Sequence, residues 1–420
     1  MSNQKQTKKL GVYLDSMINK ILYCAFSFFA NILITRYLGV EFKGEYTYVL
    51  NTASMISILA GMGIYHSIPY FNRKNQDTEQ TLFEYMNIFV FQCLFYTFVG
   101  ILIGVFTPGV RVKFIILLMV LDNVTQQLNM LMLVKDVKKR NRIYLRGAIL
   151  SLLLNGIIFV LLEKYVLAAV MVTAFVKVYY LISYLVTIHK PISYRALNKN
   201  HILQYVKFGY LPMLSYFLIT INYKMDVIML EWFPQVSDAQ LSYYSLGVTV
   251  ADIAWIISDV FKDVIFSKTA RGDHYKEIAA AIRVSNAFMC LIVLGMILFG
   301  KLFIQIFYGE DFLPAYDITV MLFFGVPLMS WFKILHPLYN AQGKRVFSFV
   351  TLLIAALVNI GINGAVIPHW GIEGAAFASI ISYAVCGLVY LVTFSRMARL
   401  SFWSLFIPRK ADFVKIFKAQ

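Results

Sequence analysis

Apolar residues in this chain come in long unbroken runs, with neither the spacing of a surface helix nor the alternation of a half-buried strand. Runs of helix length follow one another from near the N-terminus almost to the C-terminus, with short polar connections between them. A helix needs roughly 20 mostly apolar residues to cross the hydrocarbon of a bilayer. Only helices and closed barrels satisfy their backbone groups there, and the alternating ~10-residue segments of a barrel are not seen. The pattern predicts twelve spanning helices, opening with Val12–Thr35, Tyr46–Tyr70, Phe83–Phe106 and Val112–Val134. Tyr144–Leu162, Tyr165–Ile188, Tyr205–Leu230 and Leu241–Phe266 follow, and then Ile282–Phe307, Ile318–Tyr339, Phe347–Ile367 and Gly371–Ser395. The connections at Glu163–Lys164 and His369–Gly371 are so short that the helices flanking them are expected to form tight antiparallel hairpins.

Charge orients the spans. Alternate connections, together with both tails, hold 28 of the lysines and arginines, whereas the other six loops hold only Arg36, Lys43, Arg111, Lys113, Lys164 and Lys301. Basic loops stay on the cytoplasmic side, so both termini are expected in the cytoplasm of a bacterial inner membrane. The net charge of +16 is placed as a topology signal beside anionic lipid headgroups, and no nucleic-acid partner is expected. No cleavable leader is expected either, because ten polar residues run straight into a full span. Six spans precede the basic stretch around Lys199 and six follow it. Equal orientation of the halves is the parallel type of internal repeat. The chain therefore divides into a six-helix bundle over 1–188, a cytoplasmic linker over 189–204, a second bundle over 205–395 and a basic tail over 396–420.

With 60% hydrophobic and 14% charged residues there is no segment outside the spans large enough to fold alone. Function must come from polar groups inside the helices, where ionisable side chains are costly and normally face protein or a wet cavity. Several fall in helical register. They are Lys20, Cys24, Ser27, Asn31 and Thr35 in the first span, and Asp122, Gln126 and Asn129 in the fourth. Thr173, Lys177, Tyr180 and Tyr184 do the same in the sixth, and Lys333, His336 and Asn340 in the tenth. The eighth span carries Ser245, Thr249, Asp252, Asp259 and Asp263 on one face. Such stripes either bridge neighbouring helices or line one hydrated central cavity, and their spread over both halves favours the cavity. Lys224 and Asp226, two apart, cannot share a helix face. Lys177, Lys224 and Lys333 would make a cavity with cationic walls suited to phosphate. The alternative is a set of buried Lys–Asp pairs. Asp122, Asp226, Asp252 and Asp259 keep an organic-cation cavity open.

There is no Walker-type glycine loop, no HExxH and no nucleophile elbow, so no catalytic residue is expected. His369 and Glu373 flank a turn that contains glycine, and no metal site is expected there or elsewhere. Cys24, Cys93, Cys290 and Cys386 all fall inside spans without a paired spacing and read as core residues.

Short segments at both ends of the chain carry a family resemblance. Thr35-Arg36-Tyr37-Leu38-Gly39-Val40-Glu41-Phe42-Lys43-Gly44-Glu45-Tyr46 and Gly61-Met62-Gly63 lie near the start. Tyr308-Gly309-Glu310-Asp311-Phe312 and Tyr339-Asn340-Ala341-Gln342-Gly343-Lys344 come later. They precede Val358-Asn359-Ile360-Gly361-Ile362-Asn363 and the hairpin Ile367-Pro368-His369-Trp370-Gly371-Ile372-Glu373-Gly374-Ala375-Ala376-Phe377-Ala378-Ser379. In this order they resemble the Wzx-type O-antigen flippases of polysaccharide biosynthesis, in the superfamily that also holds multidrug-and-toxin-extrusion (MATE) transporters and lipid II flippases.

The resemblance implies an all-α integral membrane fold of two six-helix bundles around a central cavity that opens alternately to the two membrane faces. It implies an undecaprenyl-diphosphate-linked oligosaccharide as substrate, membrane lipids as surroundings, and a polysaccharide polymerase and chain-length regulator as partners. Stripping water from such a headgroup would cost tens of kcal/mol by Born-type reasoning, which a hydrated, lysine-bearing groove would offset. On this reading Lys177, Lys224 and Lys333 lead as headgroup contacts, with Lys20 and Arg36 behind them. Asp226, Asp252, Asp259 and Asp122 are candidates for a coupling proton or Na+, or for orienting the lysines, and no other cofactor is expected. Trp255 and the tyrosines are candidates for stacking on sugars. A drug or cation antiporter on the same fold is the first rival, and a membrane polymerase the second.

Overall fold

The computed structural model describes residues 2–74, 78–193, 197–256, 258–259, 262 and 275–412, with side chains from 19 onward except at 20, 73, 74, 78 and 341. Among these residues there are helices and turns and no strand. The long helices are α1 (Ser2–Ala60), α3 (Thr78–Phe106), α4 (Val110–Lys135), α5 (Val137–Leu161), α6 (Val166–Ile188) and α7 (Lys199–Leu230). They continue with α8 (Asp238–Ala254), α9 (Tyr275–Tyr308), α10 (Ala315–Ala341) and α11 (Arg345–Ala398), and a short α2 (Ile68–Lys74) follows α1. Nine helices among the described residues are long and apolar enough to cross a membrane.

Two of the nine are double. Gly371 interrupts α11 with φ 55° and ψ −130°, a backbone state closed to residues with a Cβ. The chain reverses there. Phe347 and Tyr390 would stand about 65 Å apart on a straight helix, yet their ring centroids are 5.4 Å apart. Ser382 Oγ donates to the carbonyl of Ala355 at 3.2 Å across the same hairpin. In α1, Gly39 at φ 66° plays the same part, and Ile34 and Leu38 before it share one apolar cluster with Val49 and Ala53 after it. The expected turn at Glu163–Lys164 is also present, between Leu161 and Val166.

The chain divides into two compact units, Met1–Phe217 and Leu218–Gln420, with the division inside α7. In the first, apolar packing concentrates in two clusters. One takes Val166–Ala174 of α6 with Tyr37, Tyr46 and Leu118. The other takes Tyr184 and Ile188 of α6 with Tyr85, Leu128 and Tyr205. Lys177 and Tyr180 fall between them on α6. The outward faces are apolar too: Phe95, Phe98, Ile101 and Val105 of α3 are all more than half exposed. In the second unit Leu291, Leu294, Leu298 and Leu302 make the same kind of stripe along α9. Exposed apolar stripes of this extent are stable only against lipid. The protein is a multi-pass membrane protein.

Candidate functional site

The candidate charged residues gather in one centre in the first unit and two in the second. In the first unit Asp122 of α4 and Lys177 of α6 form an ion pair, with side chains 11% and 20% exposed. Beside it Arg140 Nε donates to Asn129 Oδ1 at 2.6 Å, and the guanidinium lies 5.1 Å over the Tyr144 ring. Tyr23, Tyr144 and Tyr180 meet edge to face, at 5.5 and 5.4 Å between successive centroids. Arg36 is exposed three residues before the Gly39 turn. The side chain of Lys20 lies outside the described residues.

The second unit gathers Lys333 of α10 with Asp259, at 3.7 Å, and Asp259 also accepts from Lys262 at 2.8 Å. The Lys333 ammonium stands 4.7 Å from the Trp255 ring centroid and 5.7 Å from that of Tyr223. Tyr383 closes the aromatic group at 5.6 Å from Trp255. Asp252 is exposed on α8, within electrostatic reach of Lys333 and Lys224. Lys333 and Asp259 thus meet beside rings that can bear a cation or the apolar face of a sugar. Asp263 lies outside the described residues.

Asp226 belongs elsewhere in this unit, as its spacing from Lys224 requires. It is 1% exposed and accepts from Tyr244 Oη at 2.8 Å, from Asn363 Nδ2 at 3.2 Å and from the Ser379 hydroxyl. Asn363 Nδ2 also reaches Asn359 Oδ1 at 3.1 Å, while Asn363 Oδ1 has no partner. One step along, Ser382 donates to Asn222 Oδ1. Among the described residues no lysine or arginine pairs with Asp226. A buried carboxylate without a cation is costly, so the cluster of amide, hydroxyl and carboxylate oxygens fits a proton or a small hard cation. Tyr244, Ser382 and Asn222 were not marked by charge or stripe. Their only signal is small polar residues on neighbouring helices, which sequence spacing cannot pair.

Solved structures share this fold. The lipid II flippase MurJ in an inward closed conformation matches with a TM-score of 0.70 at 14% identity, over 96% of this chain and 90% of that one. An inward-facing multidrug resistance MATE transporter of the MOP superfamily matches with 0.67 at 14% identity, over 91% and 98%. A MOP-superfamily transporter from Pyrococcus furiosus, described as having a binding pocket of reverse polarity that suggests a different function, matches with 0.52 at 13% identity, over 92% and 94%. No family model matches the sequence, and no curated protein matches it significantly. The chain is an all-α membrane protein with the fold common to MATE transporters and to MurJ.

Proposed function

We propose that this protein is a flippase that moves an undecaprenyl-diphosphate-linked oligosaccharide from the cytoplasmic to the periplasmic leaflet by alternating access, for surface-polysaccharide synthesis. The observation that carries this reading is the second-unit cluster, where Lys333 rests on Trp255 and Tyr223 with Lys224 and Asp252 in electrostatic reach. Lys333 and Lys224 would hold the diphosphate, and the rings would lie against the first sugar. Asp252 and Asp259 would hold the lysines in place until the headgroup arrives. Lys177, Arg36 and Lys20 are secondary contacts, Lys177 being neutralised by Asp122 when no substrate is bound.

Asp226, with Asn363, Ser379 and Tyr244 around it, is the site for the coupling proton or Na+. Twelve crossings follow if the nine long helices are taken with α1 and α11 as pairs and the 17-residue α8 as a further span. The loop charges then leave both termini in the cytoplasm of a bacterial inner membrane, and a polymerase and chain-length regulator would act on the product.

The test uses cells lacking the protein and a membrane-impermeant, sugar-modifying probe on spheroplasts. Accumulation of the lipid-linked repeat in the cytoplasmic leaflet, relieved by re-expression, is expected. Accumulation in the periplasmic leaflet would place the defect after translocation and favour a polymerase. No accumulation would favour the antiporter, the reading to which Asp252 and Asp259 beside aromatic rings also lend support.

A further inference from the structure

The first unit contains a second polar feature that the ion pair does not use. Between the two arms of α1, α5 and α6 lies a chamber of about 210 Å³, open on one side rather than enclosed. Its polar lining is Ser27 and Asn31 of α1, Ser151 and Asn155 of α5, and Thr173 and Tyr180 of α6. None of its lining residues carries a charge.

Among the polar groups facing the chamber, Asn155, Asn31 and Tyr180 are poorly satisfied. Asn155 is 5% exposed, its Oδ1 has no partner, and its Nδ2 reaches Ala30 O and Ser151 Oγ at 3.4 and 3.3 Å. Asn31 Oδ1 accepts from Thr35 at 3.5 Å, and Tyr180 Oη reaches Tyr144 O at 3.5 Å. A neutral hydrogen bond is normally about 2.9 Å. Tyr46 and Thr173, also in the lining, are joined at 2.7 Å. The slack bonds of Asn155, Asn31 and Tyr180 leave groups that can still accept a guest.

The chemistry of that guest is restricted. The lining supplies no carboxylate to balance a bound cation and no lysine or arginine to balance a bound anion. Amides, hydroxyls and phenols in both donor and acceptor roles match a neutral polyol. Tyr23 and Tyr180 add ring faces, and Gly147 makes room for the second. A Cβ there would stand 2.4 Å from the Tyr180 hydroxyl.

We propose that this chamber is a saccharide subsite that receives one uncharged sugar ring of the substrate. The proposal rests on the flippase reading and gives the chamber a sugar other than the one set against Trp255 and Tyr223.

The experiment uses the full chain in lipid nanodiscs with a panel of methyl pyranosides, followed by saturation-transfer NMR. Undecaprenyl diphosphate binding and ²³Na relaxation are measured on the same samples. Ser151→Leu fills the chamber from a half-buried position, and Asn155→Leu removes its unpaired amide. At least one glycoside is expected to give signals that fall fivefold or more in Ser151→Leu, with diphosphate binding unchanged. Asn155→Leu should repeat the loss. If wild type binds the diphosphate but no glycoside, the chamber is only hydrated and the proposal fails while the flippase reading stands. Glycoside signals that survive both substitutions would put the sugar elsewhere and overturn it. Loss of a ²³Na effect with no glycoside signal would make the chamber a cation site and overturn it as well. If neither glycoside nor diphosphate binds, both readings fail.

Discussion

Lys333 is held by two kinds of contact, an ion pair with Asp259 and the rings of Trp255 and Tyr223, and they respond differently to substitution. Lys333→Met keeps an unbranched stem against Trp255 and Tyr223 but removes the charge. Folding should be intact, while flipping in reconstituted vesicles should drop at least tenfold, the equivalent of ~1.4 kcal/mol. Unchanged flipping would remove Lys333 from the headgroup site. At Asp226 the charge and the hydrogen bonds can be separated. Asp226→Asn keeps the shape and an acceptor oxygen for Tyr244 and Ser379, so the thermal unfolding midpoint should move little and transport should lose its dependence on Na+ or on a pH gradient. Asp226→Leu strands several buried donors at about 1–3 kcal/mol each, and expression should fall. Coupling that survives in Asp226→Asn would exclude this carboxylate as the ion site.

At the level of elements, two hairpins hinge on single glycines. With φ 55° and ψ −130° at Gly371, Gly371→Ala should cost about 3 kcal/mol, read as a lower unfolding midpoint, whereas alanine at Gly361, which has open space around it, should not. The C-terminal segment is fastened in another way. Arg283 of α9 makes a two-pronged bond to Asp412 at 2.7 and 2.6 Å, both side chains being buried, and Asn286 donates to Leu405 O at 3.0 Å. The Arg283 guanidinium holds the Asp412 carboxyl below the usual carboxylate range. A carboxylate depressed in the folded state contributes stability above its unfolded pKa, which is lost as pH falls through the folded value. The segment should therefore stay docked at neutral pH and release only in acid below that range. Asp412→Asn should release it at neutral pH, since breaking a buried pair costs on the order of 3 kcal/mol. Fluorescence of the exposed Trp403 would report both transitions. A pH-independent signal in the wild type would show that this pair does not hold the segment.

For the whole molecule, the expectation is topological. Reporter fusions after Gln420 and at Ser267, in the connection before α9, should be active on the cytoplasmic side, and one at Glu163–Lys164 on the periplasmic side. A periplasmic C-terminus would invert the proposed direction of transport.

The all-helical membrane class was legible in the sequence because burial in lipid demands it locally: each apolar run must satisfy its own backbone, whatever it packs against. Turns were legible for a similar reason, since Gly39 and Gly371 report on their own φ. Ionisable residues inside spans announce themselves by their cost, which is why Lys177, Lys333, Asp122 and Asp259 could be named before their partners were known. What a single helix does not encode is which neighbour its polar face meets. Tertiary packing alone paired Lys177 with Asp122, gave Asp226 its hydroxyl and amide partners, and set Lys333 on Trp255 and Tyr223. It also brought Ser151 and Asn155, lost among the leucines of α5, to face Asn31 and Thr173 across one chamber. Neutral polar residues carry little penalty of their own in a span, so their meaning depends on contacts made between helices far apart in the chain.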